Sequence, residues 1–191
     1  MTSGIVLSGG ASTRMGQPKA LLLIGKLSMA EHLLKLFSSF CQQTWLVTGA
    51  HHQEILNALP HFEPQITYNP LHASGMFSSL RHGLSQCQDA DSILFSPVDF
   101  AAVQASSIAQ LFAAPVQALI KPRWQGQSGH PILLRGSALE ALRNADPSSN
   151  AKEVLSQIPA TYIDVDDPGV AQDCDTPADY QRLLALVENQ Q

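Results

Sequence analysis

A glycine-rich segment near the N-terminus combines residue types that bind phosphate groups. It spans residues 9–19 and follows an apolar run at residues 5–7, which is typical of a buried strand. Glycines at positions 9, 10 and 16 let the backbone approach a ligand, and successive N–H groups in such a loop can surround an anion. Arg14 and Lys19 add a planar guanidinium and a mobile ammonium. The segment therefore predicts a polyphosphate site, with a surface loop carrying two solvated cations as the plainer alternative.

Two common phosphate-binding motifs do not match this segment. The dinucleotide-binding fingerprint needs glycines in the spacing G-x-G-x-x-G, and the adjacent pair Gly9 and Gly10 lacks that alternation. The P-loop needs a lysine followed by serine or threonine, whereas Lys19 lies between Pro18 and Ala20. The segment thus indicates a phosphate loop of another kind.

A carboxylate follows an apolar run typical of a strand. The run at residues 92–96 is followed by Pro97, and Asp99 comes two residues later. Ligands of open α/β sheets gather beyond the carboxyl ends of the strands. Mg²⁺ binds through one or two carboxylates together with phosphate oxygens. Asp99 is therefore a candidate metal ligand, although a turn or helix-capping role explains a lone aspartate there equally well.

A second group of carboxylates lies near the C-terminus, at Asp173, Asp175 and Asp179. Thr176 followed by Pro177 is typical of a helix start, with the threonine as N-cap. Capping accounts for Thr176 and can account for Asp179. It gives no reason for Asp173, which lies outside the helix start.

Residues 5–19 resemble the signature of the MobA-like and MocA-like NTP transferases, the nucleotidyltransferases of the molybdenum cofactor. The match is nearly complete, with Ser8 where the family usually has alanine. In that family the loop wraps the triphosphate of the incoming nucleotide, so the resemblance implies that Arg14 and Lys19 stabilise charge on the phosphates. The resemblance implies that the nucleotide contacts Leu7, Ser8, Gly9, Gly10, Ser12, Arg14, Lys19 and Ser79.

The segment from Asn69 and Pro70 through residues 75–81 also resembles part of this family. In the family, a serine at the start of the following helix typically reaches the nucleoside, which implies that role for Ser79. The alternative is a plain N-cap role for Ser78 or Ser79. Arg81 can equally serve phosphate or solvent.

Residues 173–179 resemble the closing segment of the cytidylyltransferase branch. In that branch the first aspartate approaches the metal opposite the strand-end aspartate. The resemblance therefore implies a Mg²⁺ cofactor held by Asp99 and Asp173, with Asp175 as support. One departure is Ala101, at a position where the family usually has proline, and it affects the shape of the loop more than the metal ligand.

Gly129, His130 and Pro131 resemble a segment on the acceptor side of the cleft in the same branch. The resemblance implies that His130 binds the acceptor substrate, while a structural or surface histidine is the alternative. Four other histidines have no metal-ligand spacing and are predicted to lie on the surface: His51, His52, His61 and His72.

The 191-residue chain has a globular composition, with 45% hydrophobic and 14% charged residues and a formal net charge of −5. This charge favours neither nucleic acid nor an anionic membrane as a partner. No apolar stretch approaches the roughly 20 residues of a membrane helix, and we see no signal peptide. We therefore expect a cytoplasmic protein. The isolated cysteines are predicted to be buried structural thiols: Cys41, Cys87 and Cys174.

Strand-like and helix-like patterns alternate along the chain, which predicts an α/β sandwich with a mostly parallel sheet. After the first strand, strands are predicted at 45–48, 66–68, 92–96, 118–120, 131–134 and 162–165. Helices are predicted at 29–40, 53–59, 79–85, 108–113, 138–143, 151–158 and 177–187. Because the chain shows no repeat or long linker, we expect one domain over residues 1–191. The resemblance implies a three-layer, Rossmann-like nucleotidyltransferase domain of the GT-A type.

Together these assignments predict a Mg²⁺-dependent nucleotidyltransferase in which Arg14, Lys19 and Asp99 are catalytic. By resemblance, a phosphate oxygen of the acceptor attacks the α-phosphorus of an NTP and pyrophosphate leaves. The favoured pair is CTP and molybdopterin, with an acceptor molybdoenzyme or chaperone as a further partner. Guanylyl transfer to molybdopterin is the near alternative, and a sugar or alditol phosphate is another acceptor class. From a different class of protein, the alternative is a non-catalytic nucleotide-binding regulator.

Overall fold

A computed structural model describes residues 1–188 of the chain, apart from the side chain of Pro64. The last three residues of the predicted domain, 189–191, lie outside the described residues. The strands are β1 (Thr2–Ser8), β2 (Leu23–Ile24), β3 (Leu27–Ser28), β4 (Gln43–Thr48), β5 (Ile66–Tyr68), β6 (Ser92–Pro97), β7 (Leu119–Trp124), β8 (Gln127–Ser128), β9 (Ile132–Arg135) and β10 (Ala160–Asp164). The α-helices are α1 (Met29–Ser38), α2 (His52–Ala58), α3 (Met76–Gln86), α4 (Ala105–Ala113), α5 (Gly136–Asn144), α6 (Ala151–Ser156) and α7 (Pro177–Glu188).

The main sheet is mostly parallel, as predicted. Its strands lie in the order β10–β7–β9–β6–β1–β4–β5, and the short β8 pairs with β7. Strand β1 pairs in parallel with both β4 and β6, while β9 runs antiparallel to its two neighbours. Strands β2 and β3 form a separate antiparallel pair. The mixed sheet therefore contains a parallel half, β6–β1–β4–β5, in which the apolar strand β1 lies between β6 and β4.

Helices cover both faces of this sheet, which gives the predicted three layers. Side chains alternate across a strand, so Val6 of β1 packs into the core on the α1 face and Ile5 and Leu7 pack on the opposite face against α3. The first core also takes apolar residues from α2, α4 and α7, and the second takes them from α5 and α6. The nearly continuous apolar run of β1 follows from its burial on both faces.

The predicted helix starts are confirmed at two capping boxes. Ser28 accepts a hydrogen bond from the Glu31 N–H, and the Glu31 carboxylate accepts from the Ser28 N–H, at the start of α1. Thr176 and Asp179 exchange the same two bonds at the start of α7. All four residues at these helix starts thus serve to satisfy backbone groups that have no partner inside the helix.

Two local predictions were wrong. Helix α3 begins at Met76, three residues before the predicted start at residue 79, because Gly75 adopts a φ of 101° and ends the loop immediately before Met76. Ser78 and Ser79 therefore lie inside the helix, and the N-cap alternative for them is excluded. The stretch 124–129 lies between the strands predicted at 118–120 and 131–134, where no strand was predicted. It contains the end of β7 and the whole of β8, which form a hairpin, because Gln125 and Gly126 adopt the positive φ angles that a tight two-residue turn requires.

The predicted burial of the thiols is confirmed for Cys41, Cys87 and Cys174, which are free and buried. Burial raises the pKa of Cys41 to about 12 and those of Cys87 and Cys174 to about 11, so these thiols are poor nucleophiles. Within residues 1–188, none of the helices has the length and apolar character needed to cross a membrane.

The carboxyl ends of β1, β4, β5 and β6 meet at one edge of the sheet, because these four strands run in the same direction. The chain passes from β1 to β4 and β5 on one side, and then returns to β6 on the other side of β1. Such a reversal of strand order opens a crevice above the central strand, where ligands of α/β folds bind. The loops after these strands therefore form the candidate site.

Candidate active site

A cavity of about 310 Å³ lies at this edge of the sheet. It is formed by the loop after β1, the first turn of α3 with the loop before it, the end of β6 and the segment before α7. Its lining residues are Leu7, Ser8, Gly9, Gly10, Ser12, Thr13, Arg14, Lys19, His72, Gly75, Met76, Ser79, Pro97, Val98, Asp99 and Asp175. The structure thus brings together every residue predicted to contact the nucleotide, together with Asp99. Six further lining residues were not predicted as site residues: Thr13, His72, Gly75, Met76, Pro97 and Val98.

The phosphate loop after β1 obtains its shape from Ser12 and Gly16, which adopt φ angles of 49° and 69°. A positive φ is costly for serine, and such strain is concentrated at functional sites. The Ser12 hydroxyl accepts from the backbone N–H of Lys19 (3.3 Å), which closes the loop. Gly9 and Gly10 do not use the positive φ that glycine allows.

Gly9 is required for a different reason, which is close packing. A Cβ atom at Gly9 would lie 2.4 Å from the Ser79 hydroxyl oxygen, and one at Gly49 would lie 2.4 Å from the Gly9 carbonyl oxygen. The phosphate loop therefore packs directly against α3 and against the loop after β4. Only residues without a side chain allow this approach of backbone to its neighbours.

Lys19 forms the central electrostatic contact of the cavity. Its Nζ donates to Asp99 Oδ2 (3.1 Å) and to Asp175 Oδ1 (2.5 Å), and only 12% of its side chain is exposed. Arg14 donates to the other oxygen of Asp175 (2.6 Å) from a more exposed position. Two cations from the phosphate loop are thus linked to carboxylates from two distant parts of the chain.

The pKa values of these groups reflect burial and mutual attraction. Burial lowers the pKa of Lys19, but hydrogen bonds and charges from Asp175 and Asp99 outweigh burial and raise it above its ordinary value. Burial raises the pKa of Asp99, and Lys19 offsets only part of that effect. The hydrogen bond from Lys19 lowers the pKa of Asp175. The negative charge of Asp99 is therefore incompletely compensated, and a further cation would stabilise it.

The carboxylate that the C-terminal segment brings into the cavity is Asp175, whereas Asp173 is exposed and does not line it. Cys174 is buried in the core and Thr176 caps α7, so the backbone is held on both sides of Asp175. The Asp175 carboxylate accepts a hydrogen bond from Lys19. Asp173 is close enough for its charge to contribute to the raised pKa of Asp99. The assignment of Asp173 as metal ligand, with Asp175 as support, stays a prediction, and of the two only Asp175 lines the cavity.

Asp99 and Asp175 fit a hard divalent cation in the type of their donors. Both supply carboxylate oxygens, and Mg²⁺ in nucleotide sites takes one or two carboxylates and completes its coordination with phosphate oxygens and waters. Within residues 1–188, the Oδ1 atom of Asp99 accepts no hydrogen bond, which leaves it free to coordinate. The same residues contain no group of three or more His, Cys, Asp or Glu side chains suited to a metal, so a cation here would depend on the nucleotide.

His130 lies outside the lining of the cavity. Its ring packs against Phe95 and Phe100, with centroids 5.4 and 4.7 Å away. Burial lowers the pKa of His130 to about 4, so the imidazole is neutral at pH 7. Its Nδ1 is buried and has no hydrogen-bond partner among the described residues. The predicted contact with the acceptor substrate stays a prediction.

Three of the four histidines predicted to be at the surface make defined contacts. His51 donates from Nε2 to the Ala11 carbonyl of the phosphate loop (2.9 Å), because a carbonyl can only accept. His52 bonds through Nδ1 to the Thr48 hydroxyl (2.7 Å), and His72 lines the cavity. These three side chains are partly exposed, so they lie near the surface and also make contacts that the sequence did not indicate. The contacts arise because the loops after parallel strands meet at one edge, which spacing along the chain does not reveal. His61 is exposed, as predicted.

Proteins named as molybdenum cofactor nucleotidyltransferases are similar to this chain in sequence. The chain is 24% identical over 178 residues to the molybdenum cofactor cytidylyltransferase of Escherichia coli K12, with 92% of each chain covered. It is 34% identical over 70 residues to a probable molybdenum cofactor guanylyltransferase of Bacillus cereus, which covers 32% of this chain and 35% of that protein. The similarity to the first extends over nearly the whole chain, and the similarity to the second over about a third.

Solved structures share the fold. A nucleotidyl transferase from a Methanothermobacter species superposes with a TM-score of 0.84 at 19% identity, covering 100% of this chain and 99% of that one. Rv0371c from Mycobacterium tuberculosis, in a structure complexed with manganese, has a TM-score of 0.79 at 22% identity and coverage of 96% and 98%. The predicted fold class is therefore confirmed.

The family model for the MobA-like NTP transferase domain matches residues 4–161, which include the phosphate loop, Ser79 and Asp99. The match extends over most of the chain and contains the strands that form the cavity edge. The chain therefore belongs to the family of MobA-like NTP transferase domains and is a nucleotidyltransferase.

Proposed function

We propose that this protein transfers a nucleotidyl group, with CMP from CTP the favoured donor group, to the terminal phosphate of molybdopterin and releases pyrophosphate. The observation that carries the proposal is the position of Lys19, the last residue of the phosphate loop. Its ammonium lies between Asp99 and Asp175. Cations for the phosphates and carboxylates for a metal thus meet within one cavity. Residues 1–191 would act as one domain.

The proposed reaction is a displacement at the α-phosphorus. An oxygen of the acceptor phosphate forms a bond to that phosphorus, the bond to the bridging oxygen of the β-phosphate breaks, and the electron pair leaves with pyrophosphate. Such chemistry depends on positioning and on charge neutralisation more than on a covalent nucleophile. Arg14 and Lys19 are the residues suited to holding the leaving pyrophosphate, since both line the cavity.

Lys19 can take this role either by adding a phosphate to its present partners or by exchanging one of them. Its ammonium has three hydrogens, and two of them are directed to Asp99 and Asp175. A phosphate oxygen would accept from the third hydrogen or replace one of the carboxylates. Arg14 is more exposed and pairs with Asp175 alone, so it can turn toward a phosphate at lower cost.

We propose Mg²⁺ as the cofactor, held by Asp99 with Asp175 or Asp173 as the second carboxylate. When bound, the ion would neutralise charge on the phosphates that the two cations leave uncompensated. The manganese complex of the similar mycobacterial protein supports a divalent ion of this kind. Of the two carboxylates that line the cavity, Asp99 is the one whose negative charge is less compensated by neighbouring cations, since burial raises its pKa.

Cytidine is favoured over guanosine for two reasons. The similarity to the Escherichia coli cytidylyltransferase extends over 92% of the chain, whereas the similarity to the Bacillus cereus guanylyltransferase extends over 32%. The segments around His130 and at residues 173–179 resemble the cytidylyltransferase branch. A guanylyltransferase remains the second candidate, because the adjacent glycines Gly9 and Gly10 also suit that branch.

The Asp99→Asn substitution tests the role of the strand-end carboxylate. We expect it to reduce Mg²⁺-dependent pyrophosphate release by at least about 100-fold, because the neutral amide cannot hold the cation with a full charge. Thermal unfolding measured in parallel should show a retained fold. Asp91→Asn is the matched control, since Asp91 precedes the same strand at its opposite end and is largely exposed. Wild-type rates in Asp99→Asn would exclude this residue as a metal ligand.

The Lys19→Ala substitution separates catalysis from binding. Charge on the leaving pyrophosphate grows in the transition state, so Lys19 should contribute most there, and we expect kcat to fall about 100-fold with a smaller change in KM. Steady-state kinetics with varied NTP give both constants. Lys26→Ala, at an exposed position, is the control. An unchanged kcat with a raised KM would mean that Lys19 binds the ground state and transition state equally.

Titration with the four NTPs in Mg²⁺, without acceptor, tests the base preference. We expect CTP to bind at least about tenfold more tightly than GTP, because a pocket matched to cytosine leaves buried polar groups of a purine unpaired at about 1–3 kcal/mol each. ATP and UTP serve as controls for general triphosphate affinity. Tighter binding of GTP, with GTP-supported transfer to molybdopterin, would assign the protein to the guanylyl branch instead.

A further inference from the structure

Asn69 is a buried polar residue that the proposed chemistry does not use. It follows β5, has 2% of its surface exposed, and donates from its backbone N–H to the Thr48 carbonyl at the end of β4 (3.0 Å). Its side-chain Oδ1 accepts from the backbone N–H of Leu71 (2.9 Å). A backbone N–H can only donate, so this bond determines which end of the Asn69 amide is the oxygen.

The amide nitrogen of Asn69 therefore faces helix α3. It donates to the hydroxyl oxygens of Ser78 (3.0 Å) and Ser79 (3.1 Å), which uses both of its hydrogens. The Ser78 hydroxyl donates onward to the carbonyl of Leu71 or of Gly75, each at 2.8 Å. The hydrogen bonds of Ser78 are thus completed within the loop, whereas Ser79 accepts from Asn69 and keeps its own proton.

The O–H of Ser79 is a donor that needs a partner from outside the chain. Ser79 is 2% exposed and lines the cavity, and its hydroxyl donates to no group within residues 1–188. Its oxygen packs against Gly9, where a Cβ would approach it to 2.4 Å, so the side chain has little freedom to turn away. A buried donor without a partner is costly, and a ligand in this cavity can supply the missing acceptor.

We propose that Asn69 is a positioning residue that holds the Ser79 hydroxyl as a hydrogen-bond donor to the nucleobase, so that the cavity selects a base edge presenting an acceptor. The inference rests on the proposed function, in which this cavity binds an NTP. A carbonyl oxygen or an unprotonated ring nitrogen of the base meets the requirement, whereas an amino group does not. Asn69 acts through Ser79 and does not itself line the cavity.

The substitution Asn69→Asp reverses the direction of the bond. A carboxylate can still accept from the Leu71 N–H, so the turn is preserved, but it cannot donate to Ser79. The Ser79 proton would then point to residue 69, and only lone pairs would face the base. We expect the dissociation constant for CTP, or for GTP if that binds more tightly, to rise at least about tenfold.

Tripolyphosphate is the probe that isolates the nucleoside, since it carries the phosphates without a base. Its affinity should stay within about twofold in Asn69→Asp, whereas a general effect of the new charge would weaken both ligands. Ser78→Ala, which removes the other partner of the Asn69 amide, is the control and should leave both affinities unchanged. Asn69→Ala, which leaves the Ser79 proton undirected, should give a smaller loss of nucleotide affinity and serves if the aspartate variant fails to fold.

A double-mutant cycle gives the decisive readout. If Asn69 acts through Ser79, the loss in Asn69→Asp/Ser79→Ala equals the loss in Ser79→Ala alone. Additive losses, or equal losses for nucleotide and tripolyphosphate, would overturn the inference. The measurements are of binding without acceptor, so a protein that binds nucleotide with the expected pattern and releases no pyrophosphate would contradict the proposed function and leave this inference intact.

Discussion

The ion pairs of Lys19 hold the active site together. The ammonium joins Asp99, which is 80 residues away in sequence, to Asp175, which is 156 residues away. It therefore connects the phosphate loop, the end of β6 and the segment before α7. These groups are partly buried, and each would be costly to leave unpaired. Local contacts fix both ends of this ion-pair network. The phosphate loop is fixed by Ser12, which adopts a positive φ and accepts from the Lys19 N–H. The segment that carries Asp175 is fixed by the capping of α7 by Thr176 and Asp179.

The same ion pairs constrain the proposed reaction. Arg14 and Lys19 both pair with carboxylates, so a triphosphate shares these two cations with Asp99 and Asp175. A divalent cation bound to Asp99 and Asp175 would reduce competition for Lys19 and Arg14. It would replace the positive charge that these carboxylates lose when Lys19 and Arg14 turn toward the phosphates. Nucleotide and metal are thus expected to stabilise each other in the cavity. The Ser79 hydroxyl, which accepts from the buried Asn69 amide, lies outside these ion pairs, and its proposed partner is the nucleobase.

The parts of the site that are local in sequence could be predicted, and the parts that depend on long-range packing could not. The glycines, Arg14 and Lys19 lie within one short segment, and Asp99 follows a clear strand, so residue type and position were sufficient. The choice between Asp173 and Asp175 depends on which carboxylate faces Lys19. The role of His51 depends on the loop after β4 reaching Ala11. Helix α3 starts early because of the conformation of Gly75, which its neighbours do not specify.

In the proposed reaction, the bond between the α- and β-phosphates of the nucleotide is broken and the acceptor receives the nucleotidyl group. Incubation of the protein with Mg²⁺, molybdopterin and CTP labelled at either the α- or the γ-phosphate tests it most directly. We expect the α-label to appear in a covalent adduct with molybdopterin and the γ-label to be released as pyrophosphate. Transfer of the γ-label to molybdopterin, or its release as inorganic phosphate, would rule out nucleotidyl transfer.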